Sequence, residues 1–136
     1  MQDRFRFRVW DKENSCMHYP SRYHNFGIVN GTIVKIESYP ISNSAYFGKR
    51  IVWEFDDAIL MQCTGLKDKN GKLIYEGDII SDGYDNTVVE WSDNDCQFLN
   101  VEVDNGIKTY YTFEQLLSIE VVDNIYENAD LLESEV

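Results

Sequence analysis

Three Asn-Gly pairs, at Asn30-Gly31, Asn70-Gly71 and Asn105-Gly106, limit what this chain can build. Such pairs accept positive φ cheaply, and Asn30-Gly31 between Ile28-Val29 and Thr32 to Ile36 matches the type I′ turn of a β-hairpin. Between these and the other Gly, Asp and Asn clusters the chain offers short β-branched and aromatic segments. There is no long stretch of helical periodicity.

The predicted strands follow in order. Phe5, Phe7 and Val9 alternate with Arg4, Arg6 and Arg8, which places the arginines on the solvent face of a strand. Cys16 to Tyr19 returns as the second arm of that hairpin, and Lys49 to Phe55 and Ile59 to Cys63 are strands around the Asp56-Asp57 turn. Ile79-Ile80 opens another, Thr87 to Trp91 and Cys96 to Val103 form a hairpin, and Ile107 to Tyr111 and Ile119 to Val122 complete the set. Short helical turns are expected after Thr112, over Phe113 to Leu117, and within Asn124 to Leu132. The fold class is therefore mainly β, a β-rich α+β chain of short antiparallel strands and hairpins. Its C-terminal part reads as a partly open SH3-like barrel that protects strand edges. The expected organisation is one domain over residues 1–130, with sub-lobes at about 1–58 and 59–126, and a solvated tail at 131–136.

Composition narrows function by exclusion. At 136 residues and 43% hydrophobic the chain can bury a core without metal or disulfides. No apolar signal segment or membrane-spanning run is present, and Cys16, Cys63 and Cys96 are widely spaced, which suits reduced thiols in a cytoplasm. Residues 1–75 carry 11 Lys and Arg against 8 acids, whereas residues 76–136 carry 1 against 16. The second part repels phosphate, so nucleic acid is not an expected partner.

The densest stretch, Thr64 to Ile80, suggests a metal or phosphate loop and fails both tests. A calcium loop with Asp68, Asn70 and Gly71 at its third, fifth and sixth positions would place Leu66 at the first and Gly77 at the twelfth, where carboxylates are required. A P-loop would need Gly65 and Gly71 one residue closer and a hydroxyl where Leu73 stands. What remains is a polar reversal around Gly71 and a bulge or bend at Gly77.

That stretch carries a resemblance. "LMQCTGLKDKNGKLIYEGDII", with "FRVWDKENSCMHY" before it and "IEVVDNIYENADLL" after it, resembles the YopX family of phage and prophage proteins. The resemblance implies a β-rich fold with a barrel-like C-terminal part and a phage or prophage origin. It implies no activity and no catalytic or binding residues.

Candidate chemistry is sparse. Cys16, His18 and His24 are the soft-ligand cluster, but C-x-H-x5-H lacks a fourth nearby ligand, so no metal site and no cofactor are expected. Cys63 and Cys96 lack a histidine close in sequence for nucleophilic catalysis. The turn carboxylates Asp56-Asp57, Asp82 with Asp85, and Asp93 with Asp95 are what a metal-assisted hydrolase would use, and in so acidic a chain each pair says little. The favoured reading is a non-catalytic module that binds a host or phage protein through aromatics beside acids, namely Tyr84, Trp91, Tyr110, Tyr111, Asp93 and Asp95. Core packing is the competing use of those aromatics. A further alternative is an acidic mimic of DNA that inhibits a host DNA-binding protein. The charge division and strand edges also allow a homo-oligomer.

Overall fold

The hairpins form where the glycine and asparagine signals place them. The structure, a computed structural model, describes residues 5–113 and 118–132. Strand accounts for 59% of the described residues and helix for 8%, so the fold is mainly β, with antiparallel sheets and one strongly curled half-barrel. Contacts divide it into two compact units, Met1–Gln62 and Cys63–Val136. No helix among the described residues is long and apolar enough to cross a membrane.

In the first unit, β1 (Phe7–Asp11) pairs with β2 (Cys16–His18), and β3 (His24–Val29) pairs with β4 (Thr32–Pro40). The β3–β4 turn has φ of 49° at Asn30 and 80° at Gly31, the left-handed pair that a type I′ turn requires. β5 (Phe47–Glu54) adds to β4, whereas the first half of β6 (Ala58–Lys67) crosses to β1. The Asp56-Asp57 turn therefore separates two sheets. The core here is Val9, Phe26 and Phe55, with Phe7, Ile33, Ala58 and Leu60 against it.

One expectation about β1 needs correction. Arg8 is buried at 2% exposure, its guanidinium 5.9 Å from the Tyr19 ring centroid, rather than on a solvent face. β1 lies between β2 and β6, and alternating residues on both of its faces are covered, so period two does not separate core from solvent here. Arg4 lies outside the described residues.

The second unit curls a five-stranded antiparallel sheet in the order β11-β10-β9-β8-β12. These are β8 (Asp78–Ser81), β9 (Asn86–Ser92), β10 (Gln97–Asp104), β11 (Ile107–Tyr111) and β12 (Glu120–Asn124). The rest of β6 pairs with β7 (Leu73–Tyr75) across the reversal. Its core is Ile74, Ile80, Val89, Ile119 and Val121, with Leu66, Phe98 and Phe113 packed on it. A single helical turn, α1 (Ile125–Asn128), follows β12, and the Asn124 carboxamide caps it by accepting from the N–H groups of Tyr126 and Glu127. The turn expected over Phe113 to Leu117 falls largely outside the described residues, as does the end of the tail at 133–136.

The reversal of the densest stretch is built on Asp68, which is 7% exposed. One carboxylate oxygen accepts from the N–H groups of Asn70 and Lys72, both at 2.9 Å. The other accepts from Val121 N–H at 2.9 Å, which fastens the reversal to β12. Burial pushes the Asp68 carboxyl up, but these three donors outweigh it and hold it below the usual carboxylate range. Gly71 at φ 82° closes the turn with open space around it. The acid that looked like a calcium ligand is thus a backbone clamp.

Candidate functional site

β-sheet alternation defines the candidate site. Cross-strand register aligns Val89 with Asn100 and Asn100 with Tyr111, so these three side chains share one face of the curled sheet. Period two then adds Thr87 and Glu102 to that face, and Ile80 pairs with Thr87. The face is apolar at Ile80, Val89 and Phe98 and becomes polar toward Asn100, Glu102, Thr87 and Tyr111. At that polar end lies a cleft of about 530 Å³ whose lining includes Asp82, Asp85, Thr87, Asn100, Glu102 and Tyr111.

Three acids lie in this cleft, and their environments differ. Backbone N–H groups of Asp85 and Tyr84, both donating at 2.9 Å to one oxygen, hold the Asp82 carboxyl below its usual range. Tyr111 donates its hydroxyl to Glu102 at 3.2 Å, and this bond, with the charges of Glu102 and Asp85, pushes the phenol's pKa up. Tyr111 therefore stays a neutral donor throughout the physiological range. Asp85 lies at the exposed rim.

Asn100 is the anomaly. It is 8% exposed, it lines the cleft, and its Oδ1 has no hydrogen-bond partner among the described residues. A buried carbonyl left unpaired costs about 1–3 kcal/mol, so native folds supply a partner for such groups as a rule. An amide oxygen accepts from a donor, and three acids around it disfavour an anion.

The aromatics and acids singled out in the sequence do not converge. Tyr111 lines the cleft, while Tyr110 is its sequence neighbour on β11 and faces the other way by alternation. Trp91 packs edge-on against Phe98 at 5.0 Å and donates its indole N–H to Asp93 at 2.9 Å. Asp95 bonds Ser92 within the same turn. Trp91, Asp93 and Asp95 thus gather at the β9–β10 turn, and Tyr84 stands 94% exposed on the β8–β9 turn. Asn100 and Glu102 went unnoticed in the sequence. The available signal was an asparagine inside the otherwise apolar run Phe98-Leu99-Asn100-Val101, on the side of the strand that faces the core.

Metal-ligating side chains come together elsewhere. Among the described residues, Asp11, Cys16 and His18 in the first unit bring three ligand atoms within 4.8 Å of one another. His24, expected beside Cys16 and His18, instead directs Nδ1 to Ser21 Oγ at 3.0 Å and Nε2 toward Glu37 at 3.9 Å. The turn acids are engaged locally, with Asp57 near Lys12 at 3.6 Å and Asp93 and Asp95 bound as above.

The comparisons with known proteins agree with the architecture. The family model described as YopX protein matches residues 6–133. The chain belongs to the YopX family. Among solved structures, YopX from Bacillus subtilis aligns with a TM-score of 0.58 at 28% identity, covering 96% of this chain and 99% of that one. Protein EF1440 from Enterococcus faecalis aligns with a TM-score of 0.52 at 22% identity, covering 94% and 97%, and that likeness concerns the fold alone. No curated protein matches the chain. YopX membership accounts for the order of the sequence blocks along the chain and leaves the cleft's chemistry to be argued from its own residues.

Proposed function

We propose that this YopX-family chain is a non-catalytic binding module whose cleft in the second unit receives a cationic side chain, arginine or lysine, presented by a protein partner. The observation that carries the reading is the buried Asn100 Oδ1, unpaired among the described residues, in an acid-lined cleft. An arginine suits it best. Its planar guanidinium can donate to the amide oxygen and to a neighbouring carboxylate at once, while its flat face rests on Tyr111. In the phage or prophage setting that the family resemblance implies, the partner is a host or phage protein.

The acids after Glu76 favour this reading over mimicry of DNA. Four of them are spent on separate tasks: Asp78 accepts from Tyr75 N–H, Glu90 pairs with Lys108, Glu120 pairs with Lys69, and Asp123 accepts from Asn124 N–H. A mimic of a phosphate backbone needs its charges spaced along one face.

The test is a titration of the isotopically labelled chain with N-acetyl-arginine methylamide, followed by amide and side-chain NMR signals. A lone side chain engaging one such site binds in the millimolar range, about −4 kcal/mol. Saturable shifts should centre on the Asn100 carboxamide, Thr87 and Glu102, and Asn100→Leu should remove them. Shifts scattered over all acidic turns, or none at millimolar ligand, would defeat the reading.

A further inference from the structure

The β1–β2 hairpin places three different ligand types at one point. Register sets Asp11 directly opposite Cys16, and His18 lies two residues beyond Cys16 on the same face of β2. His18 Nε2 lies 3.3 Å from Cys16 Sγ and 3.4 Å from Asp11 Oδ2. The three atoms all fall within 4.8 Å of one another.

Both short contacts are made to the same imidazole nitrogen, and this decides between two chemistries. A catalytic relay needs the thiol on one ring nitrogen and the carboxylate on the other, so that one proton can leave as the ring is steadied. Here thiol and carboxylate address Nε2 together, an arrangement that one central cation can join. For a tetrahedral ion with metal–nitrogen and metal–oxygen bonds of about 2.0–2.1 Å and a metal–sulfur bond of about 2.3 Å, ligand atoms stand about 3.3–3.6 Å apart. The His18–Asp11 separation of 3.4 Å matches the nitrogen–oxygen edge, and the His18–Cys16 separation of 3.3 Å lies about 0.2 Å inside the nitrogen–sulfur edge.

The surroundings hold the three groups in place. The Asn14 carboxamide donates to Asp11 Oδ2 at 2.8 Å and the Asn14 N–H to Oδ1 at 3.3 Å, the kind of outer contact that orients a ligating carboxylate. The His18 ring packs edge-on to Phe55 at 5.2 Å and to Phe26 at 6.5 Å, which fixes its plane. The Asp11 side chain is 7% exposed and that of His18 is 34% exposed, so the carboxylate is enclosed while the imidazole side reaches solvent.

We propose that the first hairpin binds one zinc-class divalent ion through Asp11 Oδ2, Cys16 Sγ and His18 Nε2, with a fourth position left for water or an exogenous ligand. The mixed sulfur, nitrogen and oxygen set selects a borderline ion over calcium or magnesium, which take oxygen ligands. Binding ties β1 to β2 across the turn and stabilises the folded chain in proportion to its affinity. This site is independent of the cleft in the second unit.

The experiment uses Co2+ and Zn2+ alone with the full chain under reducing conditions. One equivalent of Co2+ should produce a thiolate-to-cobalt charge-transfer band in the near ultraviolet and visible bands of a four-coordinate ion, and Zn2+ should displace both. Cys16→Ser should abolish the charge-transfer band. His18→Gln should weaken Zn2+ binding tenfold or more, and Cys96→Ser, at an exposed thiol outside the cluster, should change neither. Circular dichroism of the variants shows whether the hairpin variants fold, and the spectrum of the unaltered chain with Co2+ stands independently of them. Absence of that band in the unaltered chain, or its loss with Cys96→Ser instead of Cys16→Ser, would overturn the proposal.

Discussion

Asp68 and Glu102 are both carboxylates of the second unit, one in the reversal before β7 and one in the cleft on β10, and their surroundings are opposite. Asp68 is 7% exposed and accepts three backbone N–H groups, one of them from Val121 on β12. Glu102 is half-buried, has its hydrogen bond from the Tyr111 hydroxyl, and lies in the same cleft as an amide oxygen with no partner among the described residues. The difference teaches that the number of acids in this chain carries little information. What separates these two acids is how far the described fold satisfies the polar groups around them.

Breaking the clamp should produce the largest effect. Asp68→Ala leaves buried N–H donors unpaired and should cost about 2–4 kcal/mol, read as a lower urea midpoint with unchanged slope. A loss under 1 kcal/mol by the same measurement would erase the contrast with the cleft. Acid should act in the same direction. Because its folded pKa is depressed, Asp68 contributes stability that is fully present above its unfolded value of about 3.9 and is lost as pH falls through the folded value. The stability gap between the unaltered chain and Asp68→Asn should therefore be constant near neutrality and close below about pH 4. A gap that widened on acidification would contradict the clamp.

Gly71→Ala tests the turn without touching the carboxylate. The position has φ 82° and open space around it, so only backbone strain opposes the change, at about 1 kcal/mol. The cleft variants should be smaller still, and the first opposite in sign. Asn100→Leu removes an unpaired buried acceptor and should raise stability by about 0.5–1 kcal/mol while abolishing the arginine response. Glu102→Gln should leave stability within about 0.5 kcal/mol and weaken that response. If Asn100→Leu destabilised the chain as severely as Asp68→Ala, the amide would be structural and the comparison would collapse.

The local skeleton was legible before any coordinates. Asn30-Gly31 and Asn105-Gly106 do adopt left-handed turns, with φ of 49° and 80° and of 49° and 78°. The hairpins β1–β2, β3–β4 and β9–β10 stand where period two and turn residues indicate. Trp91, Asp93 and Asp95 were selected by type, and their neighbourhood proved to be a self-contained turn. Of the aromatics singled out, Tyr111 lines the cleft, because it shares a face with Asn100 at the polar end, whereas Trp91 on that face lies at the other end against Phe98.

The amino-acid order alone settled the turns, the strands and the charge division, because backbone sterics and turn chemistry act over a few neighbouring residues. Only the tertiary structure decided the rest. β12 joins β8, and Val121 reaches Asp68 across 53 positions of chain, an association governed by burial and pairing and not by local preference. The same curling brought Asn100, Glu102 and Thr87 to one mouth, and β1–β2 register set Asp11 beside Cys16 and His18. Whether a buried polar group such as Asn100 Oδ1 meets a partner depends on which strands close around it, and no local preference of the chain encodes that.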